Sequence, residues 1–580
     1  MDVIELEREF MNAPNDDYSG REHFDFLEVG AGAAGSVLAN RLSECGRYSV
    51  LLLEAGADET ASMAVPGMAT LQRFASDWNY TTEPMPAGCP LGPTGRCLYP
   101  RGKVMGGSTV TNAMMYVRGH PADYDEWERL GNAGWGYRHV LPYFRKSENV
   151  QIPELRSSPY HGTEGPLPIS YSPFASRLSD LFLEAAREKG IPQVDYNGQS
   201  QMGVSRIQTT TWRGERWSTN RAFLFPTKRR RNLLVRKRAL VTRVLLDAAA
   251  RRAVGVRYER DGASHVATAK REVVLCAGAI NTPQLLLLSG VGPSHHLREL
   301  GIRVRKDLPV GQNLVDHSFF VGLPIVFNQS VAPSAREVSN DPKNYIDYIT
   351  NRQGPLSNIG SLEMIYFFQA GQPVSDSAPN MEMLFLQFPP TVNFANSNVN
   401  IYQNLTGKHT SLPVLVPLRP ASKGNVTLAS TDIHDQPKIF PNYFGEEEDV
   451  KNAVEGLKKM LELFQTQAFQ KVGTKLFDEK LPSCESYEFA TDEYWACALK
   501  RFSLTIYHPC CTCRMGRKKD PSSVVDPDLR VKGINNLRVV DASVFPTMVS
   551  GHLEAPTLMV AEKSADMILN SASKGIRKPK

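Results

Sequence analysis

The sequence predicts an α/β protein of two lobes, and three observations support this prediction. The chain has 580 residues, which is beyond the size at which a single hydrophobic core keeps growing. Residues 24–56, FDFLEVGAGAAGSVLANRLSECGRYSVLLLEAG, have the pattern of a strand, a glycine turn, a helix over 33–42 and a second strand. Glu54 ends this second strand, 19 positions after Gly35, which is close to the spacing of about 20 found in nucleotide-binding βαβ units.

The composition is that of a folded, water-soluble protein. Hydrophobic residues make up 42% and charged residues 22% of the chain, which is typical of globular proteins and excludes general disorder. The one dense basic run, residues 228–231, precedes a strand-like segment and is predicted to be a solvated turn, so we expect no nucleic-acid partner. No apolar stretch approaches the roughly 18 residues of a membrane span, so no membrane partner is expected.

Cysteines and glycosylation signals favour secretion. The pairs Cys89/Cys97 and Cys484/Cys497 each enclose a short polar loop that an oxidising compartment can close with a disulfide. Four sequons point the same way, at Asn79, Asn328, Asn404 and Asn425. The N-terminal segment lacks the apolar centre of a secretory signal. We therefore expect a secreted protein whose signal is absent from this chain, with a cytoplasmic location as the alternative.

The glycine turn predicts a dinucleotide site. Gly30, Gly32 and Gly35 supply G-x-G-x-x-G, which allows a tight turn, close approach of the backbone to a pyrophosphate, and phosphate binding at the helix N-terminus. Glu54 is placed to meet a ribose hydroxyl. This unit does not distinguish NAD from FAD. Glu28 is unexplained, because strands of a parallel sheet are normally buried on both faces.

Four further blocks carry a specific resemblance. They are RGKVMGGSTVTNAMMYVRG at 101–119, GAINTPQLLLLSGVGP at 278–293, LPVGQNLVDH at 308–317 and VVDASVFPTMVSGHLEAPTLMVAEKSADMI at 539–568. With the βαβ unit they resemble, in order and over nearly the whole chain, the glucose-methanol-choline (GMC) family of FAD oxidoreductases. The DEYWAC segment and the two cysteine pairs are most similar to the arthropod branch of glucose dehydrogenases and defensive-gland alcohol oxidases.

The resemblance implies a fold and a cofactor. It implies a Rossmann-like FAD-binding domain and a substrate-binding domain built on an antiparallel sheet covered by helices. The first domain is expected at residues 20–60, 96–150, 216–318 and 520–572, and the second at 61–95, 151–215 and 319–519. No histidine lies within GGSTVTN, so the FAD is expected to be non-covalent. The chain is expected to be a monomer or a homodimer.

The resemblance also assigns cofactor contacts. The ADP half is expected to contact Gly30, Gly32, Gly35, Glu54 and Val241. The flavin half is expected to contact Arg101, Gly106, Gly107, Ser108, Asn112, Asp541, Ala542 and Pro556. Pro556 also lies near the start of a helix whose N-terminus is predicted to point at the pyrimidine end of the flavin, where its dipole stabilises negative charge.

Two histidines are the predicted catalytic residues. In the family, the histidine of an HP pair and a residue of the last block face the flavin from the substrate side, and here these are His508 and His552. Imidazole titrates near neutral pH, so one ring can accept the hydroxyl proton of an alcohol while the other holds its oxygen. Family precedent makes His508 the base. Tyr507 and Phe385 are the predicted substrate contacts.

The cysteines after His508 depart from the family pattern. Cys510 and Cys511 stand where relatives usually have a small residue and glycine. A zinc site would need more ligands, and a redox dithiol usually opens a helix, so we expect small buried thiols and no metal. If a glycine is needed there for a positive φ, Cys511 puts the local geometry in doubt.

The expected activity is oxidation of a small alcohol. The apolar, strand-like segment at 380–394 favours an apolar or aromatic alcohol, including a cyanohydrin, with electrons passing to O2 or another acceptor. The alternatives are a hydroxynitrile lyase with a redox-idle flavin, a sugar dehydrogenase of the glucose type, and a secreted flavoprotein without activity.

Overall fold

A computed structural model describes residues 16, 19–68, 76–88, 95–247, 251–359, 362–372, 377–386, 403–405 and 407–574. The helices are α1 Ala33–Glu44, α2 Pro121–Arg129, α3 Tyr137–Ser147, α4 Arg177–Glu188, α5 Gly278–Leu288, α6 Ser294–Glu299, α7 Ala335–Asn340, α8 Pro342–Asn351, α9 Glu447–Leu461, α10 Gln467–Gln470, α11 Asp492–Arg501 and α12 Glu554–Lys574.

The strands before residue 300 are β1 His23–Val29, β2 Val50–Leu53, β3 Tyr80–Thr81, β4 Leu98–Tyr99, β5 Glu148–Val150, β6 Leu167–Tyr171, β7 Gly203–Arg206, β8 Gln208–Thr209, β9 Thr211–Trp212, β10 Glu215–Arg216, β11 Leu233–Arg236, β12 Leu240–Asp247, β13 Arg252–Arg260 and β14 Ala263–Leu275. Those after it are β15 Gln312–Leu314, β16 Ser318–Phe320, β17 Ile325–Phe327, β18 Leu362–Phe368, β19 Met381–Leu386, β20 His409–Pro417, β21 Gly424–Thr427, β22 Lys438–Phe440, β23 Lys475–Leu476, β24 Ser503–Thr505 and β25 Leu537–Val539.

The first sheet contains the predicted βαβ unit. Its strand order is β11-β2-β1-β14-β13-β12, and β25 also pairs with β14. The strands β11, β2, β1, β14 and β25 are parallel, whereas β12 and β13 add an antiparallel edge. Helix α1 connects β1 to β2 and packs against α12. The sequence prediction of a strand, glycine turn, helix and strand at the N-terminus is confirmed.

The second sheet is antiparallel, as the resemblance implied. Its order is β23-β17-β20-β19-β18-β7, and β16 joins it through β20 and β24. Helix α9 packs on β19 and β20, which leaves the opposite face of these strands to meet the first lobe. The predicted strand at 380–394 is β19, and residues 387–394 lie outside the described residues. Each sheet carries its own large cluster of buried apolar side chains.

Two sequence predictions concern the surface and the cysteines. Residues 228–231 form the predicted turn before β11, and all but the half-buried Arg230 are exposed. Cys484 and Cys497 form the predicted disulfide, which ties α11 to the loop before it. Cys97 is disulfide-bonded, and Cys89 lies outside the described residues. In the part of the chain that the structure describes, no helix is long and apolar enough to cross a bilayer.

Glu28 lies in the centre of the parallel sheet. It is fully buried in β1, between Val274 of β14 and Leu52 of β2. Neither carboxyl oxygen has a hydrogen-bond partner among the described residues. Burial therefore holds the pKa of Glu28 well above its usual range. Because no described residue offers this buried carboxyl group a hydrogen bond, its burial lowers the stability of the folded protein.

Candidate active site

The glycine turn after β1 opens the cofactor cavity. Gly30 has φ +102°, and a Cβ atom there would lie 2.6 Å from the backbone oxygen of Cys276. Gly32 is the N-cap residue of α1, and the nearest atom to a Cβ there is 3.9 Å away. Space is therefore left in front of the N-terminus of α1, where backbone N–H groups and the helix dipole favour a phosphate.

Glu54 closes the other side of this turn. Its two oxygens accept hydrogen bonds from the backbone N–H groups of Ala31 and Gly56, each at 2.8 Å. Burial raises the pKa of Glu54 to about 7, although these hydrogen bonds oppose the shift. The carboxyl group lines the cavity and keeps free lone pairs, so it is able to accept a hydrogen bond from a ribose hydroxyl as predicted.

The loop at 101–112 packs directly onto the glycine turn. Gly107 has φ +55°, and a Cβ there would lie 2.7 Å from the Cα atom of Gly32. Arg101 ties this loop to the segment of His508, because its guanidinium donates to Ser108 Oγ at 2.8 Å and to the backbone oxygen of Tyr507 at 2.7 Å. The two loops that the resemblance placed along the flavin are thus joined by one side chain.

One continuous cavity runs between the two lobes. Ten of the predicted cofactor residues line it: Gly30, Gly32, Glu54, Val241, Arg101, Gly107, Ser108, Asn112, Asp541 and Ala542. His508, His552 and Tyr507 line it as well. Asp541 is held in place by Gly278 N and Thr282 Oγ1, at 2.9 and 2.6 Å.

Three predicted cofactor contacts are not among the residues that line the cavity. A Cβ at Gly35 would lie 1.9 Å from the backbone oxygen of Gly30, so this glycine serves the packing of α1 on the turn. Gly106 donates its N–H to Ala31 at 2.8 Å and supports the loop. Pro556 is buried within the first turn of α12. Each of the three is next in sequence to a residue that lines the cavity but does not line it itself.

Three imidazoles converge at one end of the cavity. The rings of His508 and His552 are 4.5 Å apart between centroids, at an interplanar angle of 73°. His317 approaches His508 from the protein side, with 3.1 Å between the two Nδ1 atoms. The structure therefore brings together the two histidines named from the sequence and adds a third.

The hydrogen-bond partners assign the proton positions of this cluster. His317 Nε2 lies 2.8 Å from the backbone oxygen of Leu418, which can only accept, so Nε2 carries the proton. Burial lowers the pKa of His317 to about 3, so the ring is neutral and its Nδ1 is an acceptor. His508 Nδ1 must then donate to it, and His508 Nε2 is left with a free lone pair.

His508 itself is neutral in this environment. Burial, followed by the nearby rings of His552 and His317 and then by Arg101, holds the pKa of His508 well below its usual range. Its backbone N–H donates to Asp316 at 2.8 Å. Asp316 also accepts from the hydroxyl groups of Tyr99, Tyr443 and Thr505, so it fixes the chain at His508 without contacting the ring.

His552 is oriented by an acid from the second sheet. Its Nε2 donates to Glu382 Oε1 at 2.9 Å, and Glu382 is fully buried in β19. The chain before His552 is anchored at Ser550, whose N–H and Oγ donate to Asp123 at 2.8 and 2.9 Å. The ring is thereby held by one contact from each lobe.

The substrate half of the cavity has apolar walls. Its lining includes Phe319, Ile359, Leu362, Leu384, Leu386 and Val414. The prediction for Phe385 was wrong. Successive strand side chains point to opposite faces, so Leu384 and Leu386 line the cavity while Phe385 packs on the far side against Phe182 and Phe469.

The cysteines beside His508 are buried thiols. Cys510, Cys511 and Cys513 are at most 1% exposed and unoxidised, and no group of three or more metal-ligand side chains occurs among the described residues. Cys511 has φ +73°, the left-handed conformation for which the family pattern supplies glycine. A residue with a Cβ costs about 1–2 kcal/mol there.

This strain predicts that the stabilities of the glycine and alanine variants differ in opposite directions at Cys511 and Cys513. We expect Cys511→Gly to be more stable than Cys511→Ala by about 1 kcal/mol, because only glycine relieves the left-handed strain. At Cys513, which has no positive φ, the order should reverse, since glycine adds freedom to the unfolded chain. The midpoint of thermal unfolding of all four FAD-loaded variants measures both orders. The same order at both positions would contradict the strain at Cys511.

Comparison with known proteins decides the family. Two models described as GMC oxidoreductase match residues 24–319 and 420–561. The chain belongs to the GMC oxidoreductase family. Glucose dehydrogenase (FAD, quinone) of Drosophila pseudoobscura pseudoobscura is 36% identical over 549 residues, which cover 94% of this chain and 86% of the relative.

A second relative and a solved structure show similarity over nearly the whole chain. Mitochondrial choline dehydrogenase of Homo sapiens is 39% identical over 571 residues, covering 94% of this chain and 90% of the relative. The crystal structure of pyridoxine 4-oxidase from Mesorbium loti has a TM-score of 0.80 and 28% identity, with coverage of 94% and 99%. The predicted fold class and family are confirmed.

GMC oxidoreductases bind FAD, and the residues of this chain fit that cofactor. The helix N-terminus at Gly32 and the acid Glu54 lie at one end of the cavity, and the histidines lie at the other. The absence of a side chain at Gly107 lets this loop pack onto Gly32, and the absence of one at Gly32 leaves the backbone there accessible to a bound group. These residues fit an extended dinucleotide: Gly32 and Glu54 would hold one end of it, and His508 and His552 line the other end of the cavity.

Four residues of this GMC oxidoreductase site were not predicted. Asp316 and His317 end the quoted block LPVGQNLVDH, so a family motif did mark them, but their contacts to His508 are long-range. Glu382 lies inside a segment chosen only for its apolar character. Glu554 is a cavity residue two positions after His552. Glu554 lies in the quoted block at 539–568, so a family motif marked its segment, but no local pattern indicated Glu382.

Proposed function

We propose that this GMC oxidoreductase oxidises a small primary or secondary alcohol with an apolar or aromatic body to the carbonyl compound. Oxidation of CH–OH donors is the chemistry of the family. The observation that carries the proposal is the free lone pair at His508 Nε2, next to a cavity half with apolar walls.

The side chains divide the proton chemistry between them. FAD, when bound, supplies the acceptor for the hydride that leaves the alcohol carbon. His508 takes the hydroxyl proton at Nε2, and its lowered pKa keeps it ready to do so at neutral pH. His552, oriented by Glu382, is positioned beside His508 to contact the substrate hydroxyl group. His317 keeps His508 in the tautomer that this role requires.

The walls favour an apolar substrate body. Leu384, Leu386 and Val414 offer no hydrogen bonds to a sugar, and each hydroxyl buried against them without a partner costs about 1–3 kcal/mol. An aliphatic chain or aromatic ring instead gains about 25 cal/mol for each Å² removed from water. Relatives named for glucose and choline therefore serve here as a guide to the reaction and not to the substrate.

The electron acceptor and the location follow from the relatives and the cysteines. We propose that the two electrons pass to O2 or to another acceptor such as a quinone, which the name of the fly relative includes. Secretion is supported by the disulfide between Cys484 and Cys497. Exposed sequons at Asn79, Asn328 and Asn404 support it as well.

Anaerobic mixing of the FAD-loaded protein with single alcohols tests the substrate class. We expect benzyl alcohol and hexanol to bleach the yellow flavin with second-order rates at least about tenfold above those of glucose and choline, because a polar body loses about 1.4 kcal/mol or more in this pocket. The product is identified as the aldehyde. Admitting air then distinguishes an oxidase, which recolours rapidly, from a dehydrogenase.

The competing functions give other results in the same experiment. Faster bleaching by glucose than by either apolar alcohol would support a sugar dehydrogenase and overturn the proposal. A hydroxynitrile lyase would release cyanide from an aromatic cyanohydrin while its flavin stays yellow. If no alcohol reduces the flavin, the remaining interpretation is a flavoprotein without this activity.

A further inference from the structure

Glu554 is a carboxyl group in the cofactor cavity that the proton chemistry above does not use. It is the first residue of α12 and lines the cavity beside His552. Its Oε2 atom accepts a hydrogen bond from Asn112 Nδ2 at 2.5 Å. Its Oε1 atom is shielded from solvent and has no partner among the residues described. Since a carboxylate offers about four acceptor sites, most of this group's hydrogen-bonding capacity is unused within the protein.

Asn112 fixes the direction of that hydrogen bond. Its Oδ1 accepts from Arg216 Nη1 at 2.7 Å and from the backbone N–H of Met114 at 3.0 Å. The amide must therefore present its Nδ2 donor to Glu554. A chain of donors runs from buried Arg216 through Asn112 to the carboxyl group in the cavity wall, and it ends there.

The flavin half of the cavity is the space that Glu554 borders. Asn112 belongs to the loop expected along the flavin, and the rings of His552 and His508 lie at the same end. We propose that the Glu554 carboxyl group is a hydrogen-bond partner of the bound flavin and that its protonation state sets how readily the flavin is reduced. An ionised carboxylate places negative charge beside a ring that gains negative charge on reduction, so ionisation opposes reduction.

The proton on Glu554 is exchangeable near neutral pH. Burial raises the pKa of Glu554 to about 7, although the hydrogen bond from Asn112 and the charge of Arg216 lower it. Below that pH the group is neutral and donates a hydrogen bond, and above it the group is an anion. Reduction should therefore become harder as the pH rises through this range, and the reduced flavin should bind an additional proton.

Arg216 and Tyr116, which also lie near Glu554, do not change charge near neutral pH. Its titratable neighbours are Arg216, His552, Tyr116 and, beyond Arg216, Glu59. Arg216 stays charged because burial lowers its pKa only to about 10, and burial raises the pKa of Tyr116, which stays neutral. The cations of the helices packed on α12, Arg41 and Lys146, pair with Glu562, about 12 Å further along the helix.

The test follows the flavin itself and not the turnover. The FAD-loaded protein is titrated from about pH 5 to about pH 9 by visible absorbance, and its reduction potential is measured against a reference dye over the same range. We expect an absorbance change with a midpoint near neutral pH and an extra fall in potential of about 30 mV per pH unit above it, the value of one proton per two electrons. Glu554→Gln keeps a hydrogen-bonding group and should abolish both.

Asp566→Asn is the matched control, because it makes the same change from acid to amide on α12 at a half-exposed side chain away from the cavity. It should retain the wild-type midpoint and slope. A Glu554→Gln protein with wild-type behaviour would overturn the proposal. So would a wild-type protein whose absorbance does not change near neutral pH and whose potential shows no extra fall there, which makes the test decisive even if the variant does not retain FAD.

Discussion

Replacement of His508 by alanine is expected to slow flavin reduction by alcohol about 10²- to 10⁴-fold, the usual contribution of a general base. The physical reason is the lone pair at Nε2, which the hydrogen bond to His317 leaves unprotonated. Stopped-flow mixing under anaerobic conditions measures the rate. The FAD content of the variant is checked by absorbance, because loss of cofactor would also slow the reaction.

The pH profile separates a base from a structural residue. The pKa of His508 is lowered by burial and by its neighbours. Acidification to the ordinary histidine pKa of about 6.5 should therefore leave the wild-type rate unchanged, and the rate should fall only at a still lower pH, where His508 becomes protonated. The His508→Ala rate should rise with pH, since hydroxide then removes the proton.

Two other histidines serve as comparisons for this prediction. His552→Ala should slow the reaction, because this ring contacts the substrate oxygen and Glu382 orients it. It should also move the acid limb of the profile to higher pH, because the ring of His552 helps to lower the pKa of His508. His434, which is 59% exposed, is the neutral control, and His434→Ala should match the wild type. A slowing of less than about fivefold at His508, with full FAD content, would remove it as the base.

Glu28→Val is expected to stabilise the protein by about 1–3 kcal/mol even at about pH 4, where the carboxyl group is still largely protonated after unfolding; this is the range for relieving a buried polar group without a partner. Both carboxyl oxygens lack partners among the described residues, and the flanking positions in the sheet are Val274 and Leu52. Valine also suits a buried parallel strand. The midpoint of thermal unfolding of the FAD-loaded protein reports the change, and Glu28 does not line the cavity.

The effect should grow with pH. The folded-state pKa of Glu28 is raised, so the folded state keeps a proton that the unfolded state releases above about pH 4.3. From that pH up to the folded pKa, this group costs the wild type about 1.4 kcal/mol of stability for each pH unit. Glu28→Gln should remove the pH dependence but keep the burial cost. An equal or lower midpoint for Glu28→Val at every pH would contradict the account.

Local patterns were sufficient for parts of the fold. The βαβ unit was readable because glycine spacing and apolar periodicity act within about thirty residues, and α1 extends over Ala33–Glu44. The start of α12 at Glu554 follows from Pro556, since proline suits the first turn of a helix. Phe385 shows the limit. The apolar, strand-like character of its segment predicted a strand, but which face of β19 meets the cavity depends on α9 covering the other face.

By itself, the sequence determined the family, the cofactor and the two histidines that meet at the cavity, because each is carried by a short motif. Only the tertiary structure decided which nitrogen of His508 is free. That choice depends on a chain from Leu418 O through His317, residues from distant segments that meet only when β16, β20 and β24 pair in the second sheet. Proton positions follow from partners in space, and a linear motif does not contain them.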